Sequence, residues 1–146
     1  MDAAEAEELI MDIREINKQV IATFRAGEDP PGMHRDRLLL LTTSGRRSRE
    51  PRTSPMAFFT DGGTPVVFAS NIGAARHPDW YLNLDADPHV TVETADATFA
   101  ATATTATGAD RDRLWAAAVE RFSFLPEHQE KAGDREIPLV VLAPDA

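Results

Sequence analysis

Six arginines, Arg35, Arg37, Arg46, Arg47, Arg49 and Arg52, fall within 18 residues, opposed only by Asp36 and Glu50. A planar guanidinium binds phosphate or carboxylate through paired hydrogen bonds, so arginine at this density describes a local anion site. The composition sharpens the contrast: 24 acidic side chains face 15 basic ones, for a net charge of −9. A chain so acidic repels nucleic-acid phosphates as a whole, which argues against a general nucleic-acid binder. The competing reading is a solvated loop that balances nearby carboxylates.

Other chemistries find little support. With no cysteine, thiolate catalysis, cysteine-ligated zinc, iron–sulfur clusters and disulfides are excluded, and a reducing compartment fits. His34, His77, His89 and His128 lack H-x-x-H or H-E-x-x-H spacing, so no metal site is expected. His77 stands directly before Pro78 and reads as part of a helix entry. No G-x-S-x-G, G-x-G-x-x-G or Walker pattern occurs, and no carboxylates pair for acid–base work. What remains is the arginine loop, the stretch Ser70–Asn71–Ile72–Gly73 and the aromatic segment HPDWYLN. That set suits a site whose chemistry belongs to a bound cofactor, with the protein supplying orientation and electrostatics.

The elements that position these residues follow from periodicity. Residues 3–26 read as an amphipathic helix: Leu9, Ile13, Ile16, Val20 and Phe24 form its stripe, widened by Ile10 and Ile21. Asp2 and Glu5 suit a capping box, and Gly27, Pro30 and Pro31 supply the stop. Strands are expected over 37–43, 54–60, 64–70, 89–94, 98–107 and 136–142, with Asp61–Gly62–Gly63 as a hairpin turn. Short helices are expected over 78–86, with proline in its first turn, and from a cap at Asp110 to about Phe122. Residues 123–133 read as irregular or weakly helical. About six antiparallel strands with an N-terminal helix and flanking helices give class α+β, a small curled sheet or barrel.

The 146 residues suit one domain, 1–146, with 1–29 as an N-terminal helical segment. The apolar runs are too short to span a bilayer, and the acidic start lacks a signal-peptide pattern. A cytoplasmic protein with no nucleic-acid partner and no integral membrane segment is the expectation.

Three blocks, LLLLTTSGRRSREPRTSPM, VVFASNIGAARHPDWYLNLDADPHVTV and DREIPLVVL, occur in order from about residue 37 to the end. Together they resemble the deazaflavin-dependent nitroreductase family, oxidoreductases that use coenzyme F420 and whose close relatives reduce quinones. The resemblance implies a split β-barrel, the FMN-binding-like fold. It also implies that a loop G-R-x-S/T-G-x-P-R grips the cofactor's phosphate and oligoglutamate tail. Here that loop is Gly45 to Arg52, making Arg47, Ser48 and Arg52 the tail-binding candidates, with Arg46 and Arg49 next. By the same resemblance Pro55 and Met56 line the deazaflavin ring. Ala69 and the turn Ser70, Asn71, Ile72 and Gly73 approach its edge, and Trp80 and Asn83 close the pocket. Ser70 and His128 are the catalytic candidates, as hydrogen-bond donor and proton source.

This chain also departs from the family pattern. Arg49 stands where the loop has its second glycine and Ile72 where the turn has its first, so a positive φ at either carries strain. Asn71 replaces a frequent lysine, and pocket tyrosines are replaced by Ala57 and, near the end, His128. The expected activity is hydride transfer from reduced coenzyme F420 to a small electron acceptor such as a quinone or a nitro compound. An FMN-dependent oxidoreductase on the same fold and a non-catalytic deazaflavin carrier or sensor are the alternatives. Metal has no part in any of them.

Overall fold

The structure, a computed structural model, describes residues 2–146, and their side chains except those of residues 3 and 6–12. Helix α1 (Ala3–Arg25) opens the chain, with Asp2 Oδ1 accepting from the Glu5 amide at 2.8 Å as its N-cap. Of the apolar stripe expected on α1, Val20 and Phe24 are buried, whereas Ile13 and Ile16 are exposed; Leu9 and Ile10 lie outside the described side chains.

Seven strands follow: β1 (Leu38–Ser44), β2 (Pro51–Ala57), β3 (Phe59–Asp61), β4 (Thr64–Phe68), β5 (His89–Glu93), β6 (Thr98–Thr105) and β7 (Leu139–Pro144). They form one antiparallel sheet in the order β2-β1-β5-β6-β7-β4-β3. The two outermost strands, β2 and β3, are separated in the chain by Phe58 alone. Ala57 and Phe59 are two Cα steps apart, at most about 7 Å, so the sheet has to curl until these two edges come together at Phe58. The expected barrel is therefore a consequence of topology. The seventh strand appears because the run expected over 54–60 is two strands, broken at this seam.

The hairpin between β3 and β4 turns through Gly62 and Gly63, with φ of 58° and 86°. Positive φ at both central residues is the requirement that glycine meets.

Apolar runs in the sequence reflect burial on both faces of a strand. Val67 and Val140 face the barrel interior with Leu39, Leu41, Val90, Val92 and Leu142. Their neighbours Val66 and Leu139 face the opposite way, into a second core with Leu114, Ala118 and Leu125. These last three come from α3 (Gly108–Arg121) and α4 (Leu125–Ala132). Helix α2 (Asp79–Ala86) inserts Tyr81 and Leu84 into the barrel core, and the Tyr81 hydroxyl pairs with Thr105 Oγ1 at 2.9 Å.

Several boundaries differ from expectation. Helix α3 begins at Gly108 after Thr107, so Asp110 lies in the first turn, where a carboxylate suits the helix dipole without capping it. Pro78 is the N-cap of α2 and not a helical residue. Residues 125–132, expected to be irregular or weakly helical, form α4, whose buried Leu125 and Ala132 anchor it. The last strand starts at Leu139, because Ile137 and Pro138 are used in the approach to it.

Candidate functional site

The six-arginine run divides. Arg35 closes the C-terminal end of α1: its Nε donates to the Phe24 carbonyl at 2.8 Å and its guanidinium stacks 4.7 Å from the Phe24 ring. A cation at a helix C-terminus is a structural role, so Arg35 does not belong to an anion site. Arg37 shares the 3-10 turn of Arg35 before β1, the loop between β1 and β2 carries Arg46, Arg47 and Arg49, and Arg52 follows at the start of β2. The loop is closed by Gly45 N to Glu50 O and Arg49 N to Gly45 O, each 2.8 Å. A Cβ on Gly45 would sit 2.5 Å from Ser48 Oγ and 3.2 Å from the Glu50 carbonyl, so a larger residue there would displace the serine hydroxyl. Ser48 Oγ accepts from the Glu50 amide at 3.2 Å, which leaves its hydroxyl proton available to an outside acceptor.

Asn83 ties this loop to α2. It is 4% exposed; its Oδ1 accepts from Arg46 N at 3.2 Å and Arg46 Nη1 at 2.9 Å, and its Nδ2 donates to Thr43 Oγ1 at 3.3 Å. Asn83 is thereby a positioning residue for the arginine loop. Asp79 adds to the tie, its Oδ1 accepting from Arg46 and Arg76, both at 3.3 Å.

Between this loop, β2, α2 and α1 lies a cavity of about 1040 Å³. Arg46, Arg47, Arg52 and Ser48 line it from the loop side, Trp80, Asn83 and Asp79 from α2, and Arg14, Glu15, Lys18 and Ile21 from α1. With Arg76, six cations and two carboxylates border the space among the described residues, in a chain of net charge −9. Walls of one sign focus the field on an anion. A smaller cleft of about 350 Å³ beside α3 offers nothing comparable. Its arginine, Arg111, already donates to the Ile137 carbonyl at 2.9 Å and pairs with Glu136 at 2.7 Å. Among the described residues, no group of three or more histidines or carboxylates is arranged to hold a metal ion.

The Ser70–Gly73 turn sits apart from the walls of that cavity. Both glycine replacements in this chain fall where φ is positive: Arg49 has φ 63° and Ile72 φ 56°, with Asn71 beside it in the turn at 49°. For β-branched Ile72 this is strained backbone, costing ~1–3 kcal/mol. The turn is over-determined by Arg135. Its guanidinium donates to the carbonyls of Ser70 at 2.7 Å, Ala69 at 2.9 Å and Ala74 at 3.0 Å. Arg135 Nη1 also meets His77 Nδ1 at 3.1 Å, which makes Nδ1 the acceptor of a neutral imidazole. Burial, and then the Arg135 charge, hold the His77 pKa below its ordinary value, and burial lowers that of Arg135.

Helix α4 packs on the turn. A Cβ on Gly73 would lie 2.8 Å from Lys131 Cβ and 2.9 Å from the His128 carbonyl. His128 stacks 4.9 Å from Phe124, and its Nδ1 is buried without a partner among the described residues.

The structure thus brings Arg46, Arg47, Ser48, Arg52, Trp80 and Asn83 around one cavity, and gathers Ala69, Ser70, Asn71, Ile72, Gly73 and His128 into a second cluster. Pro55 and Met56 continue β2 beyond the cavity wall, Met56 packing on the barrel core. Arg49 is exposed outside the lining residues. Sequence reasoning missed Arg14, Lys18, Arg76 and Arg135. The first two carried a signal, four-residue spacing on a helix; Arg76 stands three residues before its partner Asp79, and Arg135 stands far from the carbonyls it meets.

The profile of the F420H(2)-dependent quinone reductase family matches residues 16–144. The chain belongs to that family. F420H(2)-dependent quinone reductase Rv1261c of Mycobacterium tuberculosis is 35% identical over 106 residues, 71% of each chain. A solved F420-H2 dependent reductase, FDR-A, is 34% identical with a TM-score of 0.66, over 73% of this chain and 93% of that one. A structure described as a domain-swapped dimer is 26% identical with a TM-score of 0.68, over 96% and 99%. The protein is accordingly an oxidoreductase of the F420H(2)-dependent quinone reductase type, on the split-barrel-like fold of these neighbours.

Proposed function

We propose that this family member binds reduced coenzyme F420 in the cationic cavity and uses it to reduce a quinone-like small molecule, with nitro compounds as a second acceptor class. The observation that carries the reading is the cavity itself, bordered among the described residues by six cations and two carboxylates. Such a set fits a ligand bearing a phosphate and several glutamate carboxylates, and is more than the single phosphate of FMN requires. When bound, the reduced deazaflavin supplies a hydride.

The chain's own residues hold and orient. Arg47, Arg52 and the free hydroxyl proton of Ser48 would take the phosphate and first carboxylate, each charged hydrogen bond contributing ~1.5–3 kcal/mol. Asn83 and Asp79 fix Arg46 as a charge that does not swing. Trp80, Met56 and Pro55 give the apolar side on which a ring can rest and from which water is excluded. The Ser70–Gly73 turn, pinned by Arg135, would present Ser70 at the ring edge. His128, beside the same turn, is the candidate to hold the proton that reduction of a quinone consumes. We place the protein in the cytoplasm; among the described residues no helix is long and apolar enough to cross a membrane.

Fluorescence titration with coenzyme F420 and, separately, FMN tests this. Micromolar or tighter binding of the deazaflavin and none of FMN is the expected result. In Arg47→Ala and Arg52→Ala the affinity should fall, most at low salt. Preference for FMN, or unchanged affinity in both variants, would overturn the assignment.

A further inference from the structure

We infer that the face of α1 carrying Arg14 and Lys18 binds the outer glutamates of the cofactor tail and makes the protein selective for long-tailed coenzyme F420. The inference rests on the proposed function and extends it to α1, which lies outside the three sequence blocks from residue 37 onward.

Residues 14, 17, 18 and 21 follow the three- and four-residue spacing of one helix face, and all four line the cavity. This face is distinct from the one that buries Val20 and Phe24. The helix therefore packs with one side and offers a charged side to the same space as the arginine loop. Arg14 and Lys18 are about 6 Å apart along the axis, on a wall built by a different element from the loop.

The arithmetic of charge points to the tail's outer part. Arg46 and Arg76 are held on Asp79, and Arg47, Ser48 and Arg52 match the needs of a phosphate and the first carboxylate. Each further glutamate adds one carboxylate that requires a cation from elsewhere. Helix α1 is the element that brings two more, with Glu15 the one carboxylate beside them on the cavity side among the described residues. Two ion pairs of ordinary exposed strength amount to a ~2- to 30-fold difference in affinity between long and short tails.

The test is a fluorescence titration of the full chain with coenzyme F420 bearing one glutamate and bearing six. The wild type should bind the long form more tightly by that factor, with the ratio shrinking at high salt. Arg14→Gln with Lys18→Gln should bring the ratio toward one, and Arg14→Glu with Lys18→Glu should reverse it. Both replacements are good helix formers, so α1 is retained, and circular dichroism checks that it is. A wild type without tail preference, or a preference unchanged in the double variants, overturns the inference. Failure of the wild type to bind either form overturns instead the cofactor reading beneath it.

Discussion

Asn83 is where the consequences of the site's geometry can be worked out most fully. Replacing it by alanine removes two bonds to Arg46 and one to Thr43. The 2.9 Å bond to the guanidinium is charge-assisted and the other two, at 3.2 and 3.3 Å, are long. Arg46 is partly exposed, at 28% for its side chain, so water replaces part of what it loses. The net cost is therefore near the lower sum, ~2–3 kcal/mol. At ~2–4 °C per kcal/mol for a chain of this size, thermal unfolding should occur ~5–10 °C lower in Asn83→Ala. Asn83→Asp keeps the acceptor oxygen for Arg46 and allows the Thr43 hydroxyl to donate in place of the lost amide. Its melting temperature should stay within ~2–3 °C of the wild type, while the added carboxylate weakens coenzyme F420 binding. Scanning calorimetry on the two variants decides the matter. A melting temperature unchanged in Asn83→Ala, or lowered equally in both, would refute the claim that Asn83 works by holding the loop.

Ile72→Gly should raise stability by ~1 kcal/mol, because a largely exposed β-branched residue is relieved of positive φ; a lower denaturation midpoint would contradict this. Gly73→Ala should lower stability by ~3 kcal/mol or more, since its Cβ has no room against Lys131 and His128 at φ 79°. Proteolysis should then reach α4 first, and protection equal to the wild type would count against the packing described. His77 has a depressed pKa in the folded chain, so below its unfolded value of ~6.5 the unfolded state binds more protons. Its contribution is complete above that pH and is lost as pH falls toward the folded pKa. Asp85 opposes the shift and Arg135 reinforces it. In His77→Gln the melting temperature should depend less on pH between ~5 and 7, and an unaltered slope would rule the linkage out.

Much of the framework was legible because local rules sufficed. The β3–β4 turn needs two glycines and has them, and the alternating segment from Thr98 pairs as a strand on both sides. The capping of α1 by Asp2 was also local. The failures came from contacts distant in the chain. Nothing near Phe58 announces that two sheet edges meet there, and α4 is fixed by a core shared with β4, β7 and α3. The arginine loop was visible as composition, but its division was not, since Arg35 answers to a helix end and Arg46 to an asparagine 37 residues later. Arg135 sits in DREIP among acids, and only folding reveals that its partners are three carbonyls more than 60 residues away. The two glycine replacements were readable as departures, and their positive φ shows the turn shapes kept at the expense of local strain.

The seam at Phe58 also bears on how the chain behaves in a crowded solution. A sheet edge is a template for another chain's strand, and aggregation begins there. Here one edge, β3, is three residues long, and the other, β2, carries Pro51 and Pro55, which have no amide hydrogen to offer. The stretch from Thr53 to Phe59 is uncharged and otherwise rich in apolar side chains, so Pro55 is the one interruption in a segment with the makings of a fibril core. Pro55→Val would restore a continuous adhesive edge, and amyloid-type self-association on storage, rather than loss of the barrel, is the defect that change would bring.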